Sequence, residues 1–408
     1  MLLVAAFALL RAYAALHSPV RMPDTGSYYD LDFLGDAIRL WTVPLFYKLL
    51  LTDSLRVAGQ LLVGIAAWST LAVTLHGTLD GAVLRRVAAV TVLVLGLTPQ
   101  VTGWDATLMS ESLAVSLLVL LTALLLRLRR QATPALLAAC VVVAGLWVFS
   151  RQLNVICFLA VLPALIVLGY RWLPRRRAWA TIAALIVIGA WGGYTLTGNQ
   201  TVARWNALGL LELRIAVDQD ALSFFEGRGL PQSPQILKER GAFLGSNSPL
   251  WQDTRLMRWM DDNFRATYAA YLLRHPRHTL TEPLRQAQGY VSSAPVSYVR
   301  QRDVVPSPVL ETVWARSPGD VAFWVVVAFA LGVAALARSL RVRFAAVAGL
   351  LLLATAVATF VTWHAGPGDF ERVFMPVGVS LRLGLLLLIV FAIDALTRQR
   401  SVVGATAS

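Results

Sequence analysis

The sequence predicts an all-α polytopic membrane protein, and three observations carry that reading. Charged residues make up only 14% of the 408-residue chain, against 57% hydrophobic, whereas a soluble chain carries roughly 25% charged residues. Ten apolar segments approach or reach the roughly 20 residues that a helix needs to cross hydrocarbon. The connectors between them divide into a basic set and an acid-bearing set.

The first apolar segment, 1–16, has no small-residue cleavage site behind it and reads as a retained, rather short span, not a removed signal. Residues 17–56 are too long for a turn. From Leu31 to Leu51 apolar residues fall at mixed helical spacing, which predicts one or two interfacial helices with Trp41, Phe46 and Tyr47 at headgroup level. Six further spans are expected at 57–76, 87–104, 112–126, 133–150, 153–170 and 178–197.

Residues 198–318 form the one sizeable polar region. Helices are expected near 203–217, 251–273 and 278–290, separated by Gly227-Arg228-Gly229-Leu230-Pro231 and by Ser-Pro and His-Pro steps. Spans at 319–337, 343–363 and 373–396 close the chain. The organisation is an N-terminal transmembrane core (1–197), an extracytoplasmic insertion (198–318), and C-terminal transmembrane helices with a short cytoplasmic tail (319–408).

The net charge of +13 does not point to nucleic acid, because most arginines sit in short runs between apolar segments. Those runs are Arg85-Arg86, Arg127/Arg129/Arg130, Arg171 with Arg175-Arg176-Arg177, Arg338/Arg341/Arg343 and Arg398/Arg400. Alternating ten spans puts every run on one side, which the positive-inside rule makes cytoplasmic. The acid-bearing connectors, 17–56, 105–111, 151–152, 198–318 and 364–372, then share the outer side. Cys140 and Cys157 lie within apolar segments, so neither a disulfide framework nor a cysteine metal cluster is available. His275 and His278 are separated by a helix-breaking Pro276 and lack partner ligands, which argues against zinc. Asn199-Gln200-Thr201 matches the glycosylation tripeptide, a pattern of low specificity. No phosphate-binding loop, dinucleotide fingerprint or nucleophile elbow is present.

Four outer-side places carry the residues of interest. Asp24 lies in Pro23-Asp24-Thr25-Gly26-Ser27-Tyr28, where it is either an Asx-turn or helix-capping residue or a reactive carboxylate. Asp30, Asp32 and Asp36 follow; the last two would share a helical face. Glu111 lies in Met109-Ser110-Glu111-Ser112-Leu113, as a first-turn acid behind a Ser110 cap or as a functional acid on the same side as Asp24. Arg151 stands between two spans on the side where topology needs no cation, and pairs with a nearby acid, snorkels to the interface or binds phosphate. His364, Asp369, Glu371 and Arg372 crowd one short loop, as a polar turn with an acid–Arg372 bridge or as a headgroup-level site.

Taken in order, these motifs resemble a known family. A first-loop acid in Pro-Asp-Thr-x-x-Tyr is followed by Trp-Thr-x-Pro-Leu-Phe (Trp41 to Phe46), Met-Ser-Glu-Ser-Leu (Met109 to Leu113) and Glu-Arg-Val-Phe-Met-Pro (Glu371 to Pro376). The layout is similar to that of GT-C superfamily glycosyltransferases of the protein O-mannosyltransferase and aminoarabinose transferase group. In that resemblance Asp24 matches the first-loop catalytic acid, Glu111 the acid of the Ser-Glu motif, and Arg372 the basic residue opening the last span. The second acid that often flanks the first is absent here, where Pro23 and Thr25 stand instead, and 198–318 matches no motif.

The resemblance implies an enzyme of the cell membrane, active on the extracytoplasmic face. Its donor would be a polyprenyl-phosphate-linked sugar, and its acceptor a hydroxyl on a cell-envelope glycan, lipid or protein. Asp24 would be the general base of an inverting displacement, with Glu111 as a second catalytic acid residue. Arg151 and Arg372 would hold the leaving phosphate, with Tyr28, His364 and Glu371 as further substrate-binding candidates. A divalent cation could bridge Asp24, Glu111 and phosphate through oxygen ligands, although the sequence does not require one. A transporter or flippase of lipid-linked sugar is the first alternative. It calls for charged or broken mid-span helices, and such charges are expected to be nearly absent here. A non-catalytic membrane scaffold is the second.

Overall fold

The computed structural model describes residues 2–16, 18–34, 37–198, 200–242, 247–291, 302–314, 318–338, 345–366 and 368–406. Among these residues the chain is helical and forms no strand. Asp36, Asn199, Arg341 and Arg343 lie outside the described residues.

α1 (Leu2–Ala14) leads into an isolated parallel bridge between Val20 and Thr107, then a 3-10 helix, Pro23–Tyr28. α2 (Thr42–Leu49) is short. α3 (Asp53–Thr78) opens where the Thr52 hydroxyl accepts the Leu55 amide at 3.3 Å. α4 (Ala82–Leu97) stops before Thr98-Pro99, and Pro99 starts the single turn α5 (Pro99–Thr102). α6 (Glu111–Leu128) follows a compact turn, and α7 (Pro134–Val148) is capped by Thr133 with proline at its first position. α8 (Gln152–Trp172) ends before Pro174, where α9 (Arg175–Gly198) begins.

The polar insertion carries α10 (Gln200–Leu210), which widens into a π-helical turn at Leu211–Ile215, then α11 (Gln219–Glu226), capped by Asp218, and α12 (Pro234–Lys238). α13 (Thr254–Trp259), a π turn at Met260–Phe264 and α14 (Arg265–Arg274) follow one another without a break. Leu211, Phe225, Leu250, Leu256 and Phe264 give this region its own apolar core. α15 (Pro276–Val291) packs on the closing helices, and α16 (Ser307–Trp314) precedes α17 (Pro318–Arg338), α18 (Ala345–Ala365) and α19 (Phe370–Thr406).

Among the described residues six helices are long and apolar enough to cross a membrane: α3, α6, α8, α9, α18 and α19, or seven if α16 and α17 form one bent span. That composition fits a multi-pass membrane protein, but the expected ten spans are not reached. α1, α4 and α7 have 13, 16 and 15 residues. At 1.5 Å per residue they are about 20–24 Å long, short of a core about 30 Å thick. The expected 87–104 segment is cut where Thr98-Pro99 ends α4 and starts α5.

Two other expectations change. The described residues of 31–40 (31–34 and 37–40) form no helix, because Asp32 accepts the amides of Leu34 and Ala37 (2.9 and 3.1 Å) and closes a local turn instead. Tyr47 is fully buried, not at a headgroup surface, because its hydroxyl bonds Gln60 within the bundle. Charges inside apolar helices are also present. Arg382 of α19 donates to the carbonyls of Val313, Trp314 and Gly378 and stacks on Trp314 at 3.9 Å, satisfying the free end of α16. Arg11 of α1 is fully buried and meets Asp105, its Nε 2.8 Å from Oδ2 and its Nη2 3.1 Å from Oδ1. Gly64 makes room for that guanidinium, since a Cβ there would sit 2.5 Å from Arg11 Nη2.

Candidate functional site

The site is assembled at one end of the bundle by backbone pairing between two loops. Val20 donates to the carbonyl of Ala106 and accepts the amide of Leu108, both at 2.9 Å. This clamps the segment after α1 beside the turn before α6. The buried Thr25 hydroxyl adds a second clamp, accepting the Met22 amide (2.8 Å) and donating to the Leu108 carbonyl (3.0 Å). The 103–110 turn is held from behind by Gln60, which donates to the carbonyls of Asp105 and Thr107 at 3.0 Å. Tyr47 donates to Gln60 and Met109, and burial holds its phenol well above the ordinary value, so it remains a donor. Ser112 and Arg11 saturate Asp105. Glu111 therefore opens α6 from a braced platform.

Asp24 is the second residue of the 3-10 helix, with its side chain about a quarter exposed. It caps no helix. Its Oδ2 lies 2.8 Å from Arg39 Nη2 and 3.2 Å from Arg372 Nη1, while Oδ1 has no partner among the described residues. Glu111 is fully buried, with Oε1 3.1 Å from Arg151 Nη1 and 3.8 Å from Arg372 Nη1. Arg372 thus faces both acids, and its Nε lies 2.5 Å from Asp369. Asp369 adopts φ 52°, a left-handed conformation that Asp tolerates better than most residues, just before α19. Ser110 precedes α6 without capping it. Its hydroxyl instead accepts from Tyr28 (3.1 Å) and reaches Glu111 Oε2 at 3.5 Å.

Asp24, Tyr28, Arg39, Glu111, Arg151 and Arg372 line one cavity of about 530 Å³, with Asp369 and Arg265 also in its wall. Four arginines and three acids line it, so the cavity carries a small excess of positive charge. Such a lining suits an anionic group, and the planar arginine forks suit phosphate.

Of the sequence-predicted residues, Asp24, Tyr28, Glu111, Arg151 and Arg372 come together here. The acid pairings weighed for Arg151 and Arg372 are both formed. His364 lies in an adjoining cavity of about 500 Å³ that shares Ala203, Asn206, Arg265 and Val361 with the first. Its ring sits between the Tyr268 hydroxyl (3.5 Å) and the Thr279 carbonyl (3.0 Å). Glu371 is exposed and lines neither cavity, because adjacent helical positions diverge and Arg372 takes the inward one. Arg214 ties the insertion to this loop. It donates to the Gly366 carbonyl (3.1 Å) and stacks on Trp363 at 4.0 Å, and burial lowers it to about 10.

Sequence reasoning missed Arg39, Arg265 and the buried Arg11. The signal that singled out Arg151, an arginine on the acid-bearing side, applies equally to the first two. An arginine within an apolar segment marks the third.

The residues fit a divalent cation poorly. Both carboxylates already face guanidinium nitrogens, and no group of three His, Cys, Asp or Glu side chains suited to a metal occurs among the described residues. No protein-family model, no curated protein and no solved structure matches this chain.

Proposed function

We propose that the protein is a membrane glycosyltransferase that moves a sugar from a polyprenyl-phosphate donor to an acceptor hydroxyl, in the manner of the GT-C enzymes its motifs resemble. The observation that carries this reading is the convergence of Asp24 and Glu111, 87 positions apart, on one arginine-rich cavity.

In this mechanism the free Oδ1 of Asp24 takes the acceptor hydroxyl proton as that oxygen attacks the anomeric carbon. The bond from that carbon to the phosphate oxygen breaks, its electron pair stays on phosphate, and the anomeric centre inverts. Arg151 and Arg372 stabilise the charge that develops on the leaving phosphate. Glu111 fixes both arginines from its buried position. Protein groups carry every step; none passes through a metal.

We assign the site to the extracytoplasmic face. α6 starts at Glu111 and carries Arg127 at its other end. α8 starts beside Arg151 and ends near Arg171, with Arg175, Arg176 and Arg177 opening α9. All three helices have spanning length, so the positive-inside rule supports this orientation independently of the shorter helices.

Incubation of the purified protein with radiolabelled polyprenyl-phosphate sugar and a cell-envelope extract tests the proposal. Transfer of label to an envelope component is expected. Movement of the lipid across vesicle walls with no transfer would instead indicate a transporter.

A further inference from the structure

We infer that Arg39 is a positioning residue for Asp24, setting which carboxylate oxygen faces the cavity. The inference rests on the proposed role of Asp24 as general base. Arg39 Nε donates to the Ser27 hydroxyl at 2.8 Å, and Ser27 donates to the Asp24 backbone carbonyl at 2.7 Å. Arg39 Nη2 lies 2.8 Å from Asp24 Oδ2. These contacts close a ring, Asp24 backbone to Ser27 to Arg39 to Asp24 side chain, so the carboxylate is referenced to its own main chain. The guanidinium also stacks on the Tyr28 ring at 4.9 Å, and Tyr28 is anchored through Ser110.

The geometry separates Arg39 from the other arginines. Arg151 and Arg372 lie against buried Glu111, whereas Arg39 has no contact with Glu111 among the described residues. Two cations on Oδ2 pin that oxygen and leave Oδ1 as the one open to a proton. A lysine at position 39 can keep the charge, but its donors radiate from a single nitrogen and do not reproduce the two fixed N–H directions that the fork aims at Ser27 and Asp24. Arg39 is therefore specified by fork geometry and not by charge alone.

Two measurements test this, one of them independent of turnover. The first is modification of Asp24 by a water-soluble carbodiimide and an amine, followed by peptide mass spectrometry on wild type, Arg39→Gln, Arg39→Lys and Ser27→Ala. Each substitution is expected to raise Asp24 labelling severalfold, with labelling of Asp218 unchanged as an internal control. Unchanged labelling of Asp24 in all three variants would overturn the inference. The second is steady-state transfer. Arg39→Lys is expected to lose between about tenfold and a hundredfold in kcat, the range misplacement of a reacting group produces, with donor KM kept within about twofold. A rise in donor KM without loss of kcat would make Arg39 a phosphate ligand and refute positioning. If Asp24→Asn transfers at the wild-type rate, the general-base reading falls. If Asp24→Asn is inactive while Arg39 variants turn over normally, only the positioning role falls.

Discussion

Nη1 of Arg372 lies 3.2 Å from Oδ2 of Asp24, across 348 positions of sequence. The contact joins the loop after α1 to the start of α19, so the site needs both segments in place. Because Glu111 lies 3.8 Å from the same nitrogen, one guanidinium holds the two acids in a fixed relation.

The buried half of this arrangement sets the first prediction. Arg151→Ala leaves the Glu111 carboxylate fully buried, with the longer contact to Arg372 as its remaining ion pair and the Ser110 hydroxyl at 3.5 Å. Removing one partner of a buried pair costs about 3–5 kcal/mol, so the thermal unfolding midpoint in detergent should fall clearly. Arg151→Met combined with Glu111→Leu should recover most of that loss while abolishing activity. A single variant as stable as wild type would show that the pair is solvated.

Behind the site, Gly64 and Arg11 are sterically coupled. Gly64→Ala is expected to destabilise the protein by about 1–3 kcal/mol, since the added methyl must displace a guanidinium held by Asp105. In an Arg11→Met background the same change should cost much less, giving a clear coupling term in a double-mutant cycle. Additive losses would contradict the coupling.

These two cases show how far the sequence could be read. The all-α membrane class followed from low charge and apolar segments, and helix ends at Thr52, Thr133 and Pro174 follow local capping and proline rules. The shortness of α4 and α7 was less legible, because apolar residues continue past the point where Pro99 or the Phe149–Ser150 turn ends the helix. Asp24, Glu111, Arg151 and Arg372 stood out as charges beside apolar segments. Their mutual distances, and the part of Arg39, are tertiary facts: a parallel bridge between residues 87 positions apart leaves no local pattern.

Alkaline pH should weaken the insertion through Tyr268. Burial pushes its phenol up to about 12, with the Arg214 guanidinium pulling the other way. A phenol raised above its unfolded value of about 10 favours the folded state fully below pH 10. That contribution is lost as pH rises from 10 through about 12. Unfolding midpoints measured across this window should fall, and Tyr268→Phe should flatten the part of the slope due to this residue. An unchanged slope in Tyr268→Phe would contradict the assignment.

Sidedness can be read with cysteines placed at exposed positions. A cysteine at position 371, beside but outside the cavity, should react with a membrane-impermeant maleimide in intact cells. One at position 176 should react only after permeabilisation, while native Cys140 and Cys157 are buried and stay silent. Labelling of position 176 from outside would reverse the orientation.

The central claim is that the open oxygen of Asp24 accepts the acceptor's proton, and the most direct measurement compares Asp24→Asn with wild type in two assays on the same purified sample. Asparagine keeps the shape but cannot take the proton. Donor binding, followed by equilibrium retention of labelled polyprenyl-phosphate sugar, should stay within a few-fold of wild type. Transfer to the acceptor should drop by about 10²–10⁴-fold, the range that general-base catalysis supplies. Transfer at the wild-type rate with donor binding intact would contradict the account.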